Sequence, residues 1–346
     1  MHLAFKEQRS DDENRQILSW AHSQFFGGAR QDGSHEYRAD APNMGLPSNS
    51  LRYISSQIIR DKNPAYRWAT QFIPISPEQA AGAKSILYNR VTYTSEWTAE
   101  DKGYGTNIGV SDFTLSNIEY RSQRFNTSFS YTNAEITDLE FARRNNNVPA
   151  AISIVGEKTK AAMRGWIQLK NQIFSRGLPS KGLIGMLNHP DILRTRIASS
   201  LGKGSNAIDN LATLTLMERT ISDQSNSEEF ADTLLLPDTT LHDLNQQVFD
   251  STSTKSVLSQ FMENSFTVEN VDRSPELKGA GADGYNLAVM YNRDPETVQA
   301  VVPQEITFNP PAYTGQGYRV FVEGEVSGVH LKYPFSALIL EYPNNN

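Results

Sequence analysis

Gly279-Ala280-Gly281-Ala282-Asp283-Gly284 carries the letters of a dinucleotide-binding turn, in which glycines let a pyrophosphate approach the N-terminus of a helix. That chemistry requires a strand before the turn and a helix after it, and here a strand-like run, 285–291, follows at once. Gly202-Lys203-Gly204-Ser205 has part of a phosphate-cradling loop but lacks the four-residue spacer before Gly-Lys-Ser/Thr. The six histidines (His2, His22, His35, His189, His242 and His330) are scattered, with no pair at helical metal-ligand spacing. A metal site would therefore need distant residues to converge. No GxSxG nucleophile elbow occurs. Cysteine is absent, which excludes disulfides, thiolate zinc sites, iron–sulfur clusters and cysteine nucleophiles together. Glu228-Glu229 and Asp11-Asp12-Glu13 sit at expected helix starts, where the helix dipole accounts for them better than catalysis does. These residues call for no enzyme and no cofactor.

Charge is more informative. Between positions 140 and 181 stand eight basic residues (Arg143, Arg144, Lys158, Lys160, Arg164, Lys170, Arg176, Lys181) against two acidic ones, a local +6. The chain as a whole carries −7, so the remainder sums to −13. A basic run is usually a solvated helix face. Such polarity also suits one positive strip lying against a polyanion. The strip has no interleaved aromatic set, so any nucleic-acid contact would be non-specific.

The elements that position these residues follow from periodicity. Ser10 and Glu13 have capping-box spacing ahead of Ile17, Leu18, Ala21 and Phe25, which predicts a helix ending at Gly27-Gly28. A breaker-rich arm runs from there to about Pro47. Two strand-like runs, 84–98 and 117–131, flank a glycine-bearing polar stretch. Leu87, Val91, Tyr93 and Trp97 share one face of the first, and Phe125, Thr127, Phe129 and Tyr131 alternate along the second. The pattern predicts a long hairpin that outruns its own core, and an ordinary meander is the alternative. Thr132 and Glu135 form a second capping box, opening a short helix through Phe141. Pro149 then suits the first turn of a long amphipathic helix, 149–174, whose apolar stripe steps through Ile152, Val155, Thr159, Trp166, Leu169 and Ile173. Beyond Pro190 come a helix over 208–221, a short strand ending at Pro237, a helix capped by Asp238 through Val248, and another around 257–262. Strands then dominate: 285–291, 298–302, 306–308, 318–326 and 329–342, the last ones expected to return and pair with earlier elements. This is an α+β architecture.

Length and composition set the remaining bounds. At 346 residues the chain can bury a real core in one large or two ordinary domains. Its first residues turn polar too soon for a secretory signal, and no apolar run reaches bilayer length. The reading is a soluble, mildly acidic protein made in the cytoplasm. A hydrophobic content of 38% is low for this length, which points to burial completed at interfaces.

The order of arm, long hairpin, long helix, mixed domain and closing strands resembles the major capsid proteins of tailed double-stranded-DNA bacteriophages, the Hong Kong 97 type of fold. Three stretches carry the resemblance: 132–141 with 149–174, which is similar to the short helix and spine helix of that family; Gly182-Leu-Ile-Gly-Met-Leu-Asn188-His-Pro190, which is similar to the turn after the spine; and 318–342, which is similar to the terminal long strand. Thr233–Pro237 and Tyr291-Asn-Arg-Asp294-Pro295 fall where one branch has comparable segments. The likeness covers about 70–342. It implies an N-terminal helix and arm over 1–70 and an extended loop over 84–131 lying across an adjacent subunit. It further implies a peripheral domain from 132–200 and 301–327, and an axial domain from 201–300 and 328–346. It implies self-assembly into hexamers and pentamers of an icosahedral shell, with portal and scaffold or cement proteins as partners and no membrane. Assembly would occur in the host bacterial cytoplasm. Trp97, Lys102, Gly103, Tyr104 and Gly105 become the candidate inter-subunit contacts, and Arg143, Arg144, Lys158, Lys160, Arg164 and Lys170 the candidate strip facing packaged DNA. Some members of this fold join subunits by a Lys–Asn isopeptide bond, for which Lys102 stands at a suitable tip position. The competing readings are an encapsulin-like compartment shell and a soluble α+β enzyme with a site built from distant residues.

Overall fold

The computed structural model describes residues 65–76, 80–97, 110–144, 154–248 and 255–344. The expected N-terminal helix, most of the arm, and Lys102, Gly103, Tyr104 and Gly105 lie outside them. The described chain runs β1 (Ser85–Ser95), β2 (Ser111–Arg121), β3 (Gln123–Thr132), α1 (Asn133–Arg144), α2 (Ile154–Arg176), β4 (Leu193–Arg196), α3 (Ala207–Gln224), β5 (Thr233–Leu236), α4 (Asp238–Gln246), α5 (Val257–Asn264) and β6 (Asn270–Arg273). It ends with β7 (Asn286–Tyr291), β8 (Val298–Val301), β9 (Gln304–Phe308), β10 (Ala312–Tyr313), β11 (Gly317–Val326), β12 (Gly328–Leu331) and β13 (Ala337–Tyr342).

The centre is a five-stranded sheet in the order β4-β13-β7-β5-β6. Its three central strands, β13, β7 and β5, read as largely apolar runs because both faces are buried, and period-two alternation divides them between two cores. Leu235, Leu287, Val289, Tyr291, Ala337 and Ile339 point into one core, with Trp68, Trp166, Ile173, Phe174 and Met186. Leu234, Leu236, Ala288, Met290, Leu338 and Leu340 point into the other, with Leu214, Met217, Ile221, Leu244 and Phe261 from α3 to α5. The first core sits under α2, the long helix, and also takes Val298 and Ala300 of β8 and Val329 and Leu331 of β12. β8 and β12 pair with each other, and β8 crosses the expected boundary at 300/301.

The capping box that opens α1 is reciprocal: the Glu135 N–H donates to Thr132 Oγ1 at 3.1 Å, and the Thr132 N–H donates to Glu135 Oε2 at 2.9 Å. Three expectations are corrected. The hairpin partner of β1 is 111–121, not 117–131, and β3 pairs instead with β11 from Gln123↔Val326 to Thr132↔Gly317. Ser122 ends the run, because its N–H donates to the Lys84 carbonyl at 2.9 Å and its hydroxyl to Glu325 at 2.8 Å. Residues 329–342 are two strands rather than one, since Pro334 supplies no N–H to a ladder and opens a 3₁₀ turn over Pro334–Ser336. Asp238 does not cap α4; Pro237 stands at that position, and the Asp238 carboxylate pairs with Arg273 at 3.1 Å.

Candidate functional site

The two glycine patterns have structural explanations. Ala282–Gly284 is a 3₁₀ turn leading straight into β7. In the other, the Gly202 N–H donates to Asn210 Oδ1 at 3.1 Å and the Gly202 carbonyl accepts from Asn210 Nδ2 at 3.0 Å, which ties the loop to α3. Among the described residues, no three His, Asp or Glu side chains are grouped to hold a metal ion.

The hairpin β1–β2 forms a sheet of its own, with eleven residues in each strand. Its register places Val91 opposite Leu115 and Tyr93 opposite Phe113 on one face. Val91, Leu115, Phe113 and Tyr93 are all exposed, and beyond them Trp97 is 90% exposed. An isolated two-stranded ribbon is marginal in water, and a continuous apolar stripe along one marks a surface that another body covers.

At its root the hairpin is fastened to the body by aromatic and imidazole groups whose roles sequence spacing gave no way to foresee. The Tyr120 hydroxyl of β2 donates to the Leu331 carbonyl at 3.0 Å and accepts from the Leu331 N–H at 3.1 Å. It also meets His189 Nε2 at 3.2 Å. The Tyr120 ring stacks on His330 of β12 at 4.0 Å, and the Tyr88 hydroxyl of β1 reaches His330 Nδ1 at 3.1 Å. Ser327 bonds His330 Nε2 at 2.8 Å and donates to the Arg121 carbonyl at 2.9 Å. Both histidines are buried. Burial pushes His189 down to about 4, against a smaller opposing pull from Asp191. Burial, aided by His189 and Lys332, pushes His330 down to about 3. Burial also raises Tyr120 to about 12. Both imidazoles are therefore neutral near pH 7.

The basic strip is partly neutralised where it lies. Lys158 bonds Glu135 at 3.2 Å, and Lys160 bonds Glu157 at 3.1 Å. Lys170 leaves the strip altogether: it is buried, and its ammonium meets Glu305 at 2.7 Å while the Trp166 indole N–H donates to the same carboxylate at 2.8 Å. Burial raises the Glu305 pKa, but the bonds from Lys170 and Trp166 outweigh that and hold it below the ordinary value. Lys160, Arg164 and Arg144 are exposed. Between α2 and the strands β3, β9 and β11 runs an apolar groove of about 520 Å³ lined by Phe125, Phe129, Trp166, Leu169 and Ile306. Its floor depends on Gly324, where a Cβ would stand 2.5 Å from the Trp166 ring.

A family model described as major capsid protein matches residues 112–342. No curated protein matches by sequence. The fold is similar to the capsid of Myoviridae phage XM1, at 16% identity and a TM-score of 0.74, covering 87% of this chain and 100% of that one. It is also similar to the capsid of an empty GTA particle, at 9% identity and a TM-score of 0.61, covering 88% of this chain and 100% of that one. Mycobacterium phage Che8 gives 11% identity and a TM-score of 0.57, covering 87% of this chain and 98% of that one. At these identities the likeness is one of fold, and it is the Hong Kong 97 type of α+β fold that the order of elements resembles.

Proposed function

Because the chain belongs to the major capsid protein family, we propose that it builds the icosahedral head shell of a tailed phage from hexamers and pentamers enclosing double-stranded DNA. The observation that carries this reading is the unpartnered apolar stripe of β1–β2, which needs a neighbouring subunit to cover it. In this reading the hairpin lies across an adjacent subunit, with Trp97 and the tip residues Lys102, Gly103, Tyr104 and Gly105 in the contact. The core under α2 is the peripheral domain, and the core of α3, α4 and α5 is the axial domain at capsomer centres. The central sheet would carry force between them, since β13 and β7 contribute side chains to both cores. The role is structural rather than enzymatic, and the protein resides in the virion. Portal, scaffold or cement proteins are its further partners. Among the described residues no helix is long and apolar enough to cross a membrane.

Negative-stain microscopy of the purified chain tests the reading directly. The expected result is closed particles or free capsomers, with nucleic acid inside particles recovered from infected cells. A discrete monomer under every assembly condition would overturn it, and particles filled with protein cargo would favour a compartment shell.

The inward strip is narrowed to its exposed members. Lys170 is buried against Glu305, whereas Lys160, Arg164 and Arg144 are exposed on the surface that would face DNA, and the Arg143 side chain lies outside the described residues. The double variant Lys160→Glu/Arg164→Glu is expected to form empty shells in normal yield while the ratio of full to empty particles falls severalfold in sedimentation. The mechanism is loss of non-specific phosphate neutralisation. An unchanged ratio would make the strip a solvated helix face.

A further inference from the structure

The groups at the hairpin root form a chain whose hydrogen positions are fixed by their partners. The Asp191 N–H donates to His189 Nδ1 at 3.2 Å, so Nδ1 is unprotonated and Nε2 carries the proton, donating to the Tyr120 hydroxyl. Tyr120 spends its own proton on the Leu331 carbonyl. Ser327 spends its proton on the Arg121 carbonyl and so accepts from His330 Nε2–H, which leaves Nδ1 of His330 to accept from Tyr88. Every member is satisfied only while both rings are neutral. A proton added to His189 turns Nδ1 into a donor facing the Asp191 N–H. The Asp191 carboxylate, 3.9 Å from Nδ1 and half exposed, waits on the solvent side to receive it. A proton added to His330 places a cation beside the Lys332 ammonium, which lies 5.9 Å from the centre of the Tyr88 ring, and near a charged His189.

Tyr88, Tyr120, His189, His330, Asp191 and Lys332 are the titratable groups facing this cluster from β1, β2, β12 and the loop before β4. Among the described residues Asp191 is the acid beside these rings, and it lies on the solvent side of the cluster.

We propose that the root of the hairpin is an acid-releasable latch: proton uptake at Nδ1 of His189 and His330 removes the acceptors for the Asp191 N–H and the Tyr88 hydroxyl, charges the two buried rings that flank Tyr120, and frees β1–β2 to swing on the body. The device belongs to the single chain and holds whatever the chain assembles into. Its sign follows from linkage. The released state binds protons near the ordinary histidine value of about 6.5, while the latched state resists them down to about 4 and about 3. Latching is therefore fully favourable above about pH 6.5 and weakens as pH falls below it. Between about pH 6.5 and 5, release is favoured on the order of tenfold for each histidine, or a hundredfold for both.

Hydrogen exchange of the full chain across this range, read as the hairpin-root peptides relative to those of the buried strand β7, measures the release and cancels the chemical pH dependence. The root of the wild-type protein should lose on the order of a hundredfold in relative protection, and His189→Gln/His330→Gln should be nearly flat, since glutamine keeps a donor without titrating. Should the double variant fail to fold, each single variant should show about half the logarithmic slope. Tyr120→Phe, which keeps both histidines but severs the chain, should expose the root already at neutral pH. A flat wild-type profile overturns the proposal, as does a full slope in any histidine variant.

Discussion

Tyr93→Asp/Phe113→Asp is expected to abolish closed particles while leaving a folded subunit in solution. The two residues face each other across the β1–β2 ribbon, and Tyr93 is 82% exposed. Neither contributes to either core, so the intrinsic cost to the subunit is the lost cross-strand contact and the repulsion of two opposed aspartates, about 1–2 kcal/mol together. At an interface the balance reverses. A buried aromatic anchor is typically worth about 2 kcal/mol or more, and an aspartate in its place adds an unpaired charge to a desolvated surface. Two such losses amount to at least about 4 kcal/mol per contact, or roughly a thousandfold in association. A shell repeats that contact in every subunit, so the penalty recurs at each step of closure. Sedimentation velocity with circular dichroism separates the outcomes. Folded subunits or capsomers without particles are expected, whereas particles in normal yield would show that the stripe faces solvent in the assembly. Tyr93→Phe keeps the apolar surface and should assemble.

How far these surfaces were legible in the sequence depended on whether the deciding interaction was local. The Thr132–Glu135 box is a contact three residues apart, and its spelling predicts its geometry. The apolar periodicity of α2 likewise reports a single helix face, and Leu87, Val91, Tyr93 and Trp97 identified the stripe because a strand alternates regardless of what covers it. Register is a different matter. The alternation of Phe125, Thr127, Phe129 and Tyr131 is genuine, but it belongs to β3 and its pairing with β11, some two hundred residues away. Nothing local distinguishes that partner from β1. The basic strip shows the same limit, since Glu305 neutralises Lys170 across 135 positions. His189 and His330 are the extreme case. They are separated by most of the second half of the chain and converge only because Tyr120 stands between them.

Gly328→Ala should be among the costliest single methyl additions at the described glycines, lowering stability by about 3–5 kcal/mol. Gly328 holds a φ of +108°, and a Cβ there would stand 2.3 Å from the Ile184 carbonyl oxygen. That oxygen cannot retreat freely, because it accepts the Val329 N–H at 2.8 Å within the bridge joining Ile184 to Gly328. On the neighbouring side, the Ser327 N–H is held by the Val301 carbonyl at 3.0 Å, and its hydroxyl belongs to the hairpin root. The added methyl must therefore distort the start of β12, the turn after α2 and the seat of the hairpin together, all against buried Val326 and Val329. Backbone strain alone accounts for about 1–3 kcal/mol. Gly315→Ala isolates that part: its φ is +88°, and a Cβ there meets nothing within 4 Å. In thermal unfolding of the full chain, Gly315→Ala should shift the midpoint by a few degrees and Gly328→Ala by roughly 10 °C. If the two variants melt together, strain rather than the Ile184 contact governs the position. A gap between them assigns the difference to the crowded junction where the long helix, the closing strands and the hairpin meet.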